Sequence, residues 1–127
     1  MRLGAGGWIL AGCVALMSQS ALGVSLSAAL KNYYAEYEIV LECEEQDEIS
    51  EADGDLAEAA IDKIEMHYLK RDSSIDKERL LDRAAADKDE GFRIMARSGG
   101  GLRPYCRQSL RELLIKAKEI GPVASGQ

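Results

Sequence analysis

Apolar residues along this chain recur every three to four positions, which is the period of an amphipathic helix; no alternating β-branched run competes with that pattern. Four segments carry it. The first runs from about Ser25 to Gln46, with Leu26, Leu30, Tyr33, Tyr37, Val40 and Leu41 on one face. The second opens at Ser50, where Ser50-Glu51-Ala52-Asp53 resembles a capping box with Asp in place of Glu, and carries Leu56, Ala60, Ile64, His67 and Tyr68 to about Arg71. Gly54 in its first turn weakens it slightly.

The third segment begins near Ser73 or Ser74, either of which can cap it, and runs through Leu80, Leu81, Ala84, Ala85, Phe92 and Met95 to about Arg97, with Gly91 as a point of bending. Ser98-Gly99-Gly100-Gly101 then breaks the chain. Pro104 suits the first turn of a last helix carrying Cys106, Leu110, Leu113, Leu114, Ala117 and Ile120, which Gly121-Pro122 ends. Short connections make an all-α, up-down four-helix bundle the simplest arrangement.

The N-terminus changes the picture of where this bundle works. Arg2, an apolar run from Trp8 to Met17 and small or polar residues from Ser18 to Gly23 form a signal-peptide pattern, cleaved after Gly23 or, as a close rival, after Ser20. About ten apolar residues fall short of the roughly 20 that cross a bilayer, so no stable membrane span is expected. Leu10-Ala11-Gly12-Cys13 resembles a lipoprotein box, which would lipidate Cys13; the apolar run continuing beyond Cys13 argues against that lipid anchor. The predicted division is a signal peptide over 1–23, a helical domain over 24–121 and a loose tail over 122–127. The mature chain, 104 residues long, suffices for one domain.

Processing leaves two cysteines. In an oxidising compartment, whether periplasm or exterior, Cys43 and Cys106 are expected to pair as a single disulfide closing the bundle, because the end of the first helix and the start of the fourth meet on one side of such a topology. Loop-closure entropy makes a bridge of this span worth about 4 kcal/mol.

Charge is uneven. The whole chain has a net charge of −6, and loss of Arg2 makes it −7, which disfavours nucleic acid as a partner. Val24 to Asp62 holds 12 acidic residues against Lys31 alone, while Arg93 to Lys118 holds seven basic residues against Glu112 alone. Crowded acids at Glu44, Glu45, Asp47, Glu48, Asp53 and Asp55 form a candidate site for calcium or a similar hard cation, since such ions take several oxygens around one point. The competing reading is structural: Glu51 and Asp53 favour a helix N-terminus, and the others face Arg103 and Arg107 across the disulfide. No calcium-loop pattern supports the cation: a loop built on Asp53-Gly54-Asp55 would put Ile49 and Ala60 at its end positions, and Asp87-Lys88-Asp89-Glu90-Gly91 has its glycine one place early.

Catalytic patterns are sparse. Ser74-Ile75-Asp76-Lys77 matches the SxxK spacing without the companion motifs, and His67, the single histidine, precludes a two-histidine metal site and suits a hydrogen-bonded place at the core edge. Met66 and Met95 beside His67 make a poor soft-copper set, because Met66 points elsewhere on its helix. Gly99 to Gly101 with Arg103 lacks the lysine and hydroxyl residue of a phosphate loop. No organic cofactor is implied. Tyr34 and Ile39 lie off the apolar stripe of the first helix, so they are expected to be exposed and, with Arg103 and Arg107, to form a partner surface.

In outline the chain resembles the small periplasmic acid-stress chaperones, which are helical, exported and closed by one long-range disulfide; the likeness is architectural and carries no residue across. The reading that follows is an exported, non-catalytic protein-interaction or chaperone-like module acting on another exported protein. A cation-binding protein using residues 42–55 is the alternative, and an enzyme ranks third because no acid, base and nucleophile converge.

Overall fold

The computed structural model describes residues 25–122. The leader, its cleavage site, Cys13 and residues 123–127 lie outside the described residues. Four helices account for nearly all of the rest: α1 (Leu26–Glu45), α2 (Glu51–Arg71), α3 (Lys77–Ser98) and α4 (Leu102–Ile120). There is no strand among the described residues.

Three of the four helices start where a side chain satisfies a free N–H group, and α4, which follows Gly101, has no such cap. Ser25 Oγ accepts from the Ala28 amide and Ser50 Oγ from the Asp53 amide, both at 3.1 Å. For α3 the cap is Asp76, whose Oδ1 accepts from the Arg79 amide at 3.2 Å, and not Ser73 or Ser74. Ser74 belongs to the preceding turn, where its amide and hydroxyl both donate to Asp72 Oδ1, at 3.0 and 2.6 Å. That turn competes for the hydroxyl, so the helix begins later than the spacing of serines suggests.

The end of α1 is a Schellman motif. The Glu48 amide donates to the Cys43 carbonyl at 2.9 Å and the Asp47 amide to the Glu44 carbonyl at 3.0 Å. Asp47 holds the left-handed position this requires, with φ 61°. Asp is one of the few side chains for which that conformation is a modest cost. The reversal feeds Ile49 into the core, 7% exposed, and leads directly to Ser50.

Packing centres on α1. It lies against α2, α3 and α4, and α2 also packs on α4, whereas α3 packs along α1 alone. An up-down bundle in which each helix touches its sequence neighbours would instead seat α3 between α2 and α4. Here α3 reaches α2 and α4 through single side chains: Lys77 Nζ stands 2.8 Å from Glu65 Oε2, and Phe92 meets Tyr105 edge to face with centroids 5.6 Å apart. It is correspondingly the least buried helix, with only Leu80 and Ala84 fully covered.

That arrangement corrects the expected faces. Tyr34 is 3% exposed and Ile39 7% exposed, so both are core residues and not surface ones. With three helices around it, α1 buries Leu30, Tyr34, Ala35, Ile39, Val40 and Cys43, a band far wider than one stripe. On α2 the buried residues are Gly54, Ala57, Ala60, Ile61, Ile64 and Tyr68, and Leu56, next to Ala57 in sequence, is 52% exposed. A β-carbon on Gly54 would meet only the carboxylate end of the Glu44 side chain, which is flexible and can swing aside, so Gly54 lies close under α1 without being demanded there.

Cys43 and Cys106 stand at disulfide distance, with Cα atoms 6.0 Å apart and both residues 0% exposed. The bridge ties the last turn of α1 to the first turns of α4. Among the described residues no helix is long and apolar enough to cross a membrane. Titration of the denatured, unreduced protein is expected to find no free thiol among these two cysteines. Replacing both by alanine is expected to lower unfolding stability by about 3–4 kcal/mol, measured by urea denaturation; two titratable thiols or an unchanged midpoint would contradict the bridge.

Candidate functional site

The carboxylates of the acidic segment are dispersed, most of them among separate partners. Asp53 Oδ2 lies 3.6 Å from Arg107 Nη1, and Glu48 Oε1 lies 3.6 Å from Arg103 Nε. Glu44 covers Gly54. Glu42 accepts from Gln46 Nε2 at 3.0 Å and lies 3.5 Å from Lys88 Nζ. Glu45, Asp47 and Asp55 are exposed. Among the described residues no three of His, Cys, Asp and Glu form a group able to hold a metal ion. Of the expected cation ligands Glu44, Glu45, Asp47, Glu48, Asp53 and Asp55, none shares an oxygen cage with another. The reason is geometric: the Schellman reversal and the start of α2 fan successive carboxylates around two helix axes, and arginines from α4 take the two that face inward.

Ser74 and Lys77 likewise fail to meet as a catalytic pair. Ser74 Oγ donates to Asp72, which holds the Asp72 carboxyl below its ordinary value together with the Ser74 amide. Lys77 is engaged by Glu65. The same Glu65 Oε2 accepts from the Tyr34 hydroxyl at 2.5 Å. Burial alone would raise Glu65; the hydrogen bonds from Lys77 and Tyr34 override it and keep the carboxyl low. Burial and this Glu65 bond push the Tyr34 phenol up, leaving it a neutral donor at any physiological pH. Tyr34, Glu65 and Lys77 thus join α1, α2 and α3 as a polar clasp. Sequence reasoning missed it because Tyr34 was placed on the outer face.

His67 sits half-buried beside Tyr68, ring centroids 5.2 Å apart and edge to face. Burial, with Arg71 and Lys116 nearby, lowers its pKa, so it is neutral near pH 7. Lys116 Nζ lies 5.9 Å from the Tyr33 ring centre and 5.8 Å from that of Tyr68, a cation over two aromatic faces at the end of the bundle away from the cystine.

What the structure does assemble is a basic and apolar face on α4. Arg107, Leu110, Arg111, Leu114, Ile115 and Lys118 line one shallow depression. Leu110 forms its floor at 5% exposed, whereas Ile115 is 52% exposed. Arg107, Arg111 and Lys118 are all exposed. Of the arginines expected to meet a partner, Arg107 belongs to this face and Arg103 lies one turn before it; Tyr34 and Ile39, being buried, do not contribute. Arg111, Leu114, Ile115 and Lys118 were missed, although the i, i+4, i+7, i+11 spacing of Arg107, Arg111, Leu114 and Lys118 was readable.

One further group is unusual. Glu36 on α1 is half-buried, and its Oε1 is buried with no hydrogen-bond partner. Loss of hydration, with Glu112 of α4 adding like charge, raises its pKa to about 7. The folded state therefore holds a proton that the unfolded chain releases near 4.5. Its effect is absent below pH 4.5 and grows as destabilisation while pH rises to 7. His67 acts with the opposite sign, because its lowered pKa makes the folded state resist the proton that an unfolded histidine accepts below 6.5.

No protein-family model, curated protein or solved structure matches this chain.

Glu36→Gln isolates the Glu36 effect. It is expected to stabilise the protein by about 1–2 kcal/mol at pH 8, after discounting for solvent screening, and by almost nothing at pH 4. Urea denaturation of both proteins across that range tests it, and a difference independent of pH would contradict it.

Proposed function

We propose that this protein is an exported, non-catalytic helical module that binds another exported protein through charge complementarity. The observation that carries the reading is the exposed α4 face, where Arg107, Arg111 and Lys118 flank Leu114 and Ile115 on a chain whose overall charge is −6. A cationic face with apolar residues at its centre, on an otherwise acidic molecule, selects an acidic partner and repels basic ones. Export is supported by the leader pattern of residues 1–23 and by a buried cysteine pair at bonding distance, which needs an oxidising compartment to persist. The cystine suits the role, since it fixes the start of the binding helix to α1.

Exposed ion pairs contribute little each, so affinity for a partner rests on several charges with Ile115 and Leu114 as apolar anchors. Chemical cross-linking in the exported fraction, followed by mass spectrometry, tests the reading. The wild-type chain is expected to yield a discrete acidic partner, and Arg111→Glu with Lys118→Glu is expected to reduce its yield at least about tenfold, the equivalent of roughly 1.4 kcal/mol. Equal yields from the two proteins would contradict it.

A further inference from the structure

The α4 face has a counterpart on the same molecule. Along α2, Glu51, Asp55, Glu58 and Asp62 occupy positions i, i+4, i+7 and i+11, and all four are exposed. Along α4, Arg107, Arg111, Leu114 and Lys118 occupy the same four positions of an identical spacing. At the helical rise each ridge is about 16 Å long. Among the described residues, none of the four α2 acids is within ion-pair distance of a cation, and neither are Arg111 and Lys118; Arg107 meets only Asp53, at 3.6 Å.

These ridges do not meet inside one molecule. The side of α2 turned to α4 presents Asp53, and its buried stripe runs through Gly54, Ala57, Ile61 and Ile64. Glu51, Asp55, Glu58 and Asp62 form a ridge whose centre lies about 110° round the helix from the centre of that stripe, on the shoulder beside Tyr37 of α1, whose phenol is raised first by burial and then by Glu58 and Asp62. Two opposite ridges of matched spacing, unpaired except at Arg107 and facing different ways, fit each other only between molecules. Met66, 45% exposed, continues the acidic ridge by one turn, and Ile115 borders the basic one, so each supplies an apolar contact beside its charges.

We propose that the occupant of the α4 face is a second copy of this chain, docked head to tail so that the basic ridge of one copy lies along the acidic α2 ridge of the next. The contact is heterologous: each copy in a pair keeps one ridge free, and association extends beyond dimers unless the ring closes. Exposed charges make it weak and strongly salt-dependent. An anionic membrane is a poorer occupant, because the acidic remainder of the molecule would be repelled from it. The inference rests on the interaction-module reading only in its use of the α4 face.

The test is sedimentation equilibrium of the purified, oxidised protein with charge reversals on each ridge. Association is expected at low salt and should weaken at least about tenfold between ~0.02 and ~0.3 M salt. Arg111→Glu with Lys118→Glu should abolish it, as should Asp55→Lys with Asp62→Lys, and the variant carrying all four substitutions should associate again. Circular dichroism checks that each variant remains helical. A monomer at low salt, association indifferent to salt, persistence in either charge-reversed variant or failure of the fourfold variant to recover would each overturn the proposal. A chain that stays monomeric while cross-linking a different protein through α4 overturns self-association and leaves the proposed function standing.

Discussion

Everything else in this structure depends on the enclosure of α1. It is the helix that touches all the others, and its own turns hold the largest share of the fully covered side chains, among them Leu30, Val40 and Cys43. Removing such residues from water supplies most of what holds a domain of this size together, at roughly 1.5–3 kcal/mol for each large apolar side chain. The other helices are arranged by how they meet it. The first turn of α2 packs with Gly54 under the Glu44 side chain, Cys43 anchors α4, and α3 adheres by Leu80, Ala84 and the ion pairs Lys31–Asp87 and Lys88–Glu42. Stability should therefore be graded, deepest at α1 and shallowest at α3.

Helix count, the cysteine pairing and the inward faces of α3 and α4 were legible because they depend on local spacing. Leu110, Leu113 and Ala117 fall where their period puts them. What was illegible depended on how many neighbours a helix has. A single-stripe reading of α1 places Tyr34 and Ile39 outside, and only the third contacting helix brings them in. Leu56 was misplaced for the converse reason: α2 chooses the small residues Gly54 and Ala57 for its closest approach, which turns the larger leucine outward. Asp47 gave no signal either, since asparagine or glycine is the usual mark of a left-handed helix end.

The acidic segment shows the same division. Its carboxylates are consecutive in sequence, which suggests convergence, but a helix end, a left-handed reversal and a new helix start send them in different directions. Arg103 and Arg107 did face the acids as expected. The cations that remain on α4 then acquire their meaning from exposure: Arg111 and Lys118 beside Ile115 are a surface looking outward, whereas Lys31, Lys77 and Lys88 are committed to holding α3. Function on this reading lives in surplus charge, and the packed polar groups serve the fold.

The enclosure of α1 is tested most directly by native-state hydrogen exchange of the oxidised protein, followed residue by residue. The account predicts that the amides of Leu30 to Cys43 exchange slowest, at the free energy of global unfolding, while the middle of α3 exchanges faster through an opening that leaves α1, α2 and α4 intact. Protection in α3 equal to that in α1, or faster exchange at Tyr34 and Ile39 than in α3, would contradict it.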